Sequence, residues 1–376
     1  MKLKKLFAGI VAVAMMATMG ATSVFATEKA PVVPTAPTDK QVSIKKVITG
    51  NDYGSETVKL EVEESGKAVL VKHSSYTTAN APTISVVETA GVTITAPTAP
   101  VTTAEGTLHI QLPTYDRVGT YVYKFHEVVG ATVGMTYDTS SKWLVVNVYN
   151  DVDDTSKEIK ADSNLLVNAV VLSSDPTDAL NTDGNLNSMS EKKIDQIDNK
   201  YEAGTYTVKK LVKGNMSDRK KDFNFKVTFE NTTGKTTIPT MKVDGKAFGT
   251  EGIETLTWTA NKATYEFTLK HDQTAEFTNV PYGMKVSVVE LDDNKAALTG
   301  NTNGEYTVEY NTDANGVKLG TDEGEQTSGS AIITNTSTVN VNTGVILDNA
   351  PYIALLTIVA AGAVVMIMKK RRNYED

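Results

Sequence analysis

The sequence contains no cysteine. Disulfides, thiolate metal sites, cysteine nucleophiles and Cys-Gln thioesters are therefore excluded. Histidine is also scarce: His73, His109, His126 and His271 stand far apart, without the spacing of a catalytic triad or a metal site. The acidic run Asp151, Asp153 and Asp154 begins like a calcium loop, but Ser156 and Asp162 stand where an EF-hand needs glycine and glutamate. No metal and no cofactor is expected, and an enzyme acting on outside substrates is disfavoured. The formal net charge of −8 argues against nucleic acid as a partner and in favour of solubility.

The ends carry processing signals. Lys2, Lys4 and Lys5 precede an apolar run from Leu6 to Met16, and small residues follow to Ala26. This order predicts a secretory signal peptide over residues 1–26, too short in its apolar part to be an anchor helix. Near the other end, residues 352–368 are uncharged and are followed by Lys369, Lys370, Arg371 and Arg372, which predicts a membrane span held by cytoplasmic positive charge. Shortly before that span lies Asn340-Val341-Asn342-Thr343-Gly344. The order of Thr-Gly, apolar span and basic tail over residues 340–376 resembles a cell-wall sorting signal, in which a sortase cysteine would attack the Thr343 carbonyl, release Gly344 onward and pass the acyl group to an amine. An exported chain without disulfides needs another source of toughness.

Between the ends the texture is strand-like. Pro31, Pro34 and Pro37 mark residues 27–40 as an extended linker. Apolar residues then alternate in short runs: Val42, Ile44 and Ile48; Val58, Leu60 and Val62; Leu108, Ile110 and Leu112; Tyr121, Tyr123 and Phe125. A second series follows: Tyr206, Val208 and Val212; Phe223, Phe225, Val227 and Phe229; Tyr265, Phe267 and Leu269; Val286 and Val288. Thr77 to Gly106, rich in threonine, alanine and proline, reads as irregular or edge structure. No long segment has a helical period. The expectation is an all-β chain of two tandem β-sandwich domains with Greek-key connections, over residues 41–201 and 202–339.

Several polar residues fall in phase with the apolar ones and so should point into the cores. Lys46 shares parity with Val42, Ile44 and Ile48, Glu127 with Tyr121, Tyr123 and Phe125, and Asn199 with Ile197. The order recurs in the second half: Lys210 with Tyr206 and Val208, Glu290 with Val286 and Val288, Asn335 with Ala331 and Ile333. Lysine and glutamate are 81 positions apart in the first half and 80 in the second. Glutamate and asparagine are 72 and 45 apart, so the first domain carries extra chain between Val148 and Lys192. Burial favours neutral amine and protonated acid, the reactive forms. A neutral lysine can attack the asparagine side-chain carbonyl while the glutamic acid hydrogen-bonds to that oxygen and relays protons, expelling ammonia and leaving an amide. Any one of these residues could be an ordinary strand-end residue; the repeated ordered triplet carries the reading.

At these residues the chain resembles the sortase-assembled major pilins of streptococci, the T-antigen type, built from immunoglobulin-like sandwiches of the collagen-adhesin B type. The resemblance rests on Val42-Ser43-Ile44-Lys45-Lys46, Tyr123-Lys124-Phe125-His126-Glu127, Met135-Thr136-Tyr137-Asp138-Thr139, Tyr206-Thr207-Val208-Lys209-Lys210, residues 218–225, Val289-Glu290 and Thr334-Asn335. It implies internal isopeptide bonds from Lys46 to Asn199 and from Lys210 to Asn335, with Glu127 and Glu290 as catalytic acids. It also implies a lysine near the end of the first domain that accepts the sortase acyl group, matched by Lys192 with Lys193 as the alternative. The implied partners are identical subunits, a class C-type sortase and cell-wall peptidoglycan. The sorting stretch lacks the usual proline, and no Tyr-Pro-Lys acceptor motif is present. The competing expectation is a wall-anchored adhesin, in which the same bonds only reinforce a chain that binds a host surface ligand.

Overall fold

The computed structural model describes residues 40–160, 165–187, 189–298 and 301–339, together with Val359 and Ala363. The expected signal peptide, the linker before Lys40, Thr343, Gly344 and the rest of the expected sorting signal lie outside the described residues, as does the span 352–368 apart from Val359 and Ala363. Among the described residues no helix is long and apolar enough to cross a membrane. The expected fold class is met: the described chain is almost entirely β, arranged as two consecutive sandwiches.

The first sandwich runs β1 (Gln41–Thr49), β2 (Ser55–Val58), β3 (Leu60–Val62), β4 (Leu70–Lys72), β5 (Ser85–Val86), β6 (Val92–Thr95), β7 (Thr103–Gln111), β8 (Gly119–Glu127), β9 (Met135–Thr136), β10 (Lys142–Asn150), β11 (Leu165–Leu172) and β12 (Gln196–Tyr201). One sheet has the order β5-β7-β1-β12-β9 and the facing sheet the order β11-β10-β8-β3, with β4 also on β8. Alternation decides which side chains meet between the sheets: Val42 and Ile44 of β1 pack against Tyr121, Tyr123 and Phe125 of β8 in one buried cluster. Lys46 obeys the same parity and is buried with them.

The second sandwich runs β13 (Ala203–Lys213), β14 (Phe223–Asn231), β15 (Lys242–Val243), β16 (Lys246–Ala247), β17 (Lys262–Leu269), β18 (Thr274–Pro281), β19 (Met284–Leu291), β20 (Thr302–Asn303), β21 (Tyr306–Tyr310), β22 (Val317–Lys318) and β23 (Ser328–Ser337). Its sheets have the orders β16-β15-β18-β13-β23-β21-β20 and β17-β14-β19-β22. β13 alternates strictly, burying Tyr206, Val208, Lys210 and Val212. In each sandwich the first strand lies parallel to the last, β1 beside β12 and β13 beside β23. The registers correspond: Lys46 stands opposite Ile197 and Lys210 opposite Ile333, each two residues before an asparagine.

The extra chain after Val148 adds β11 to the edge of the first sandwich, paired along its length with β10. Its far face carries a small cluster of Val122, Val145, Leu172 and Leu180. A 3-10 turn, Ser190–Lys192, then leads into β12. Where the sandwiches meet, Val133, from the loop after β8, packs into the second core. Gly134, with φ of +80°, makes that approach feasible, since a Cβ there would lie 2.6 Å from the Glu202 carbonyl oxygen. Lys242 pairs with Asp52 at 2.9 Å, the Tyr201 hydroxyl donates to Asn279 Oδ1, and Lys235 Nζ donates to the Met135 carbonyl.

Candidate functional site: two buried lysine, glutamate and asparagine clusters

The six residues singled out by parity come together as two separate clusters. All are between 0 and 2 % exposed. In the first, Lys46 Nζ donates to Glu127 Oε2 at 2.6 Å and Asn199 Nδ2 donates to Glu127 Oε1 at 2.6 Å. In the second, Lys210 Nζ donates to Glu290 Oε2 at 2.7 Å and Asn335 Nδ2 to Glu290 Oε1 at 2.7 Å. The glutamate approaches from the facing sheet, at the last residue of β8 or near the end of β19, and bridges the neighbouring amine and amide with its two oxygens.

Charge is costly in both places. Burial drives Lys46 below the usual lysine range, against the pull of Glu127, and raises Glu127 above the usual carboxyl range, against the pull of Lys46. Burial likewise pushes Lys210 down to about 8, opposed by Glu290. Lys210 Nζ also sits 4.2 Å from the centre of the Phe223 ring, so one wall of the site is aromatic. Moving the proton from lysine to glutamate removes both charges without changing the proton count of the pair, and it yields the nucleophilic amine.

The carboxyl group meets the amide differently from the sequence expectation. It faces Nδ2, the nitrogen that would leave as ammonia, rather than the amide oxygen. In the first cluster that oxygen, Asn199 Oδ1, accepts from the backbone N–H of Asp138 at 3.0 Å. Asp138 is in turn fixed by the buried Lys142, 2.8 Å away, and by Ser140. Partial burial pushes its carboxyl up, but the bonds from Lys142 and Ser140 outweigh this and hold it below its ordinary pKa. In the second cluster Asn335 Oδ1 is buried and finds no donor among the described residues. Instead a second amide enters: Asn303 Nδ2 donates to Glu290 Oε1 at 2.6 Å. The Glu290 backbone N–H donates to the Tyr310 hydroxyl.

Asp138 and Asn303 were not read from the sequence as site residues. Asp138 acts through its backbone, which leaves no side-chain signal. Asn303 lies on a two-residue strand with no period to read.

Lys192 is remote from this chemistry in kind. Its side chain is exposed, its N–H donates to the Met189 carbonyl, and its own carbonyl accepts from the Ser173 N–H. Lys193 is exposed too, and its backbone bridges to Leu172. The Asp151 loop is closed internally, by an ion pair to Lys160 and by turn bonds from Thr155 and Ser156 to Asp153. Among the described residues no group of acidic or histidine side chains could hold a metal ion.

Residues 42–202 match the family model of the Spy0128-like isopeptide containing domain. Residues 204–337 match a family described as a domain of unknown function, DUF7601. A curated pilin from Streptococcus pyogenes serotype M1 is 29 % identical over 262 residues, covering 68 % of this chain and 69 % of that protein. Among solved structures, the major pilin from Streptococcus pyogenes is similar at 19 % identity and a TM-score of 0.41, covering 79 % of this chain and 98 % of that one. The major pilin T3.2 from Streptococcus pyogenes serotype GAS13637 is similar at 16 % identity and a TM-score of 0.39, covering 79 % and 97 %.

Proposed function

We propose, for a chain that belongs to the pilins of the Spy0128-like type, that it is the covalent shaft subunit of its fibre, locked internally by two self-formed isopeptide bonds. The observation that carries this reading is the duplicated cluster. Two sandwiches of different lengths bury lysine, glutamate and asparagine in the same strand register, with a carboxyl oxygen on each nitrogen that must gain or lose a proton.

The reaction balances without a cofactor. Nζ attacks the asparagine Cγ, the Cγ–Nδ2 bond breaks, and Glu127 or Glu290 carries the proton lost by Nζ to the departing Nδ2, which leaves as ammonia. Intact mass of the recombinant region 27–339 tests this: two bonds remove two ammonias, about 34 Da. A mass equal to that of the encoded sequence overturns it.

For assembly, a class C-type sortase would cleave between Thr343 and Gly344 and join Thr343 to Lys192 of the next identical subunit, with Lys193 as the alternative, and the last subunit would pass to peptidoglycan. Supporting this are the exposed amine of Lys192, the backbone bonds that fix its position, and the sorting-signal order of the C-terminal sequence. Lys192→Ala protein incubated with the cognate sortase should give no ladder of polymers. A normal ladder would remove Lys192 from the scheme, and no ladder from the unmutated chain would favour the adhesin reading.

A further inference from the structure

The two clusters hold the same three residue types but surround them differently, and the differences bear on rate. As Nζ adds to the amide, negative charge gathers on Oδ1. In the first sandwich Oδ1 of Asn199 already faces the Asp138 N–H, itself held in place through the pair between Asp138 and the buried Lys142. In the second, Oδ1 of Asn335 is buried with no donor among the described residues.

The glutamates differ too. Glu127 Oε1 carries one amide donor, Asn199. Glu290 Oε1 carries two, Asn335 and Asn303. Each donor favours the ionised carboxylate, and an ionised glutamate keeps its lysine an ammonium, which cannot attack. The second amide also occupies the oxygen that must hand its proton to the leaving nitrogen. Asn303 is not itself placed as the acceptor: Asn335 is on β23, next to the strand of Lys210, whereas β20 lies two strands further along the sheet.

Building on the cross-linking reading above, we propose that the two bonds close in order: Lys46–Asn199 first, helped by the Asp138 backbone N–H, and Lys210–Asn335 later, because the positioning residue Asn303 occupies the Glu290 oxygen that must pass a proton to the leaving nitrogen. The first sandwich is thus locked as it folds, while the second passes through a folded but open state. During that interval β13 and β23 are joined only by their ladder and can still part.

Pulse-labelled cell-free synthesis of the full chain, quenched in acid at intervals and digested, measures each cross-linked peptide separately. The first bond should lead the second by about a hundredfold to a thousandfold in rate, the range expected for one preorganised donor at a developing oxyanion. Asn303→Leu, which removes the donor and keeps much of the volume, should accelerate the second bond by about tenfold and leave the first unchanged. Acceleration separates this role from a structural one, since damage to a core would slow closure. Asp138→Pro, which removes the N–H, should slow the first bond alone. Bonds that close together, a second bond that leads, an Asn303→Leu chain that closes more slowly, or a Lys210–Asn303 linkage would each overturn the proposal. If ammonia is lost at neither site, the cross-linking reading itself fails; two bonds formed at equal rates refute only the order.

Discussion

If Lys192 of one subunit is joined to Thr343 of the next, tension enters the chain just before β12 and leaves it after β23. It passes along β13 to Lys210, crosses to Asn335, and exits within a few residues. The fold between those two points lies outside the load path. Removing the second bond with Glu290→Ala changes this, because tension must then be carried by the parallel ladder of β13 and β23, paired from Thr205 with Ser328 to Lys213 with Thr336. When that ladder shears, about 125 residues are released, which at roughly 3.5 Å each extends the chain by about 400 Å. Because the sequence has no cysteine, pulling handles can be attached uniquely through Lys192→Cys and Thr343→Cys. In single-molecule stretching the otherwise unmutated chain should show no such step, Glu290→Ala should show one step of about 400 Å, and Glu127→Ala should show none. A step of similar length in Glu127→Ala, or none in Glu290→Ala, would refute the load path.

Three further outcomes follow from the same geometry. Asn199→Ala removes the acceptor while leaving Lys46 paired with Glu127; opening a loop of about 150 residues should cost about 5 kcal/mol of stability, so equal denaturation midpoints for the two proteins would contradict the first bond. At the second site the pair reacts when it holds one proton. With two, Lys210 is an ammonium; above about 8, the value to which burial pushes Lys210, the pair loses its last proton and Glu290 has none to give the leaving nitrogen. Closure of the second bond should therefore fall about tenfold per pH unit above that value, and a rate that keeps rising toward pH 10 would show that the amine alone limits it. Trypsin should cut the Glu127→Ala chain within residues 41–201 while sparing the second sandwich, and cleavage spread evenly over both would show that the bonds do not protect their own domains.

The six cluster residues were legible in the sequence because a strand has a period of two. Once Val42 and Ile44 face the core, Lys46 must as well, and Tyr206 and Val208 impose the same on Lys210. Glu127 and Asn199 follow from Phe125 and Ile197 in the same manner. Where the period fails, so does the reading. β11 is a nearly continuous apolar run, half-buried along much of its length, and only the unequal glutamate-to-asparagine spacing hinted at added chain. The stretch from Thr77 to Gly106 is irregular for much of its course, as expected, yet β6 lies within it and β7 begins at Thr103, ahead of the apolar alternation at Leu108. Small and polar residues, Thr103 to Thr107, fill those first positions, and Ile94 of β6 occupies the space that a side chain on Gly106 would take. The Asp138 N–H reaches Asn199 because β9 pairs with β12, Thr136 opposite Lys200; that is a property of register between distant strands, which composition does not carry.

Parallel pairing of first and last strands would let a single cross-link of the proposed kind suffice in each sandwich. In an antiparallel pair the chain would enter and leave at the same end, and subunits joined through those points would fold back rather than extend. In the parallel pair β13 and β23 the entry at Ala203 and the exit at Ser337 lie at opposite ends. Lys210 stands near the far end of β13 and Asn335 near the far end of β23, so in the proposed fibre the loaded segment would be β13 itself, already extended, followed by one amide and a short tail. Such a path has almost no slack to give. The first sandwich has the same parallel pair, but the proposed acceptor Lys192 lies inside the loop that Lys46 and Asn199 would close, just ahead of β12, so tension entering there runs straight on along β12 and leaves the long remainder of the loop slack. The Lys46–Asn199 bond would then carry no tension and would serve against unfolding and proteolysis, roles needed from the moment the chain emerges. In that scheme only the second bond would carry tension, and this difference in use matches the order of closure that Asp138 and Asn303 would impose.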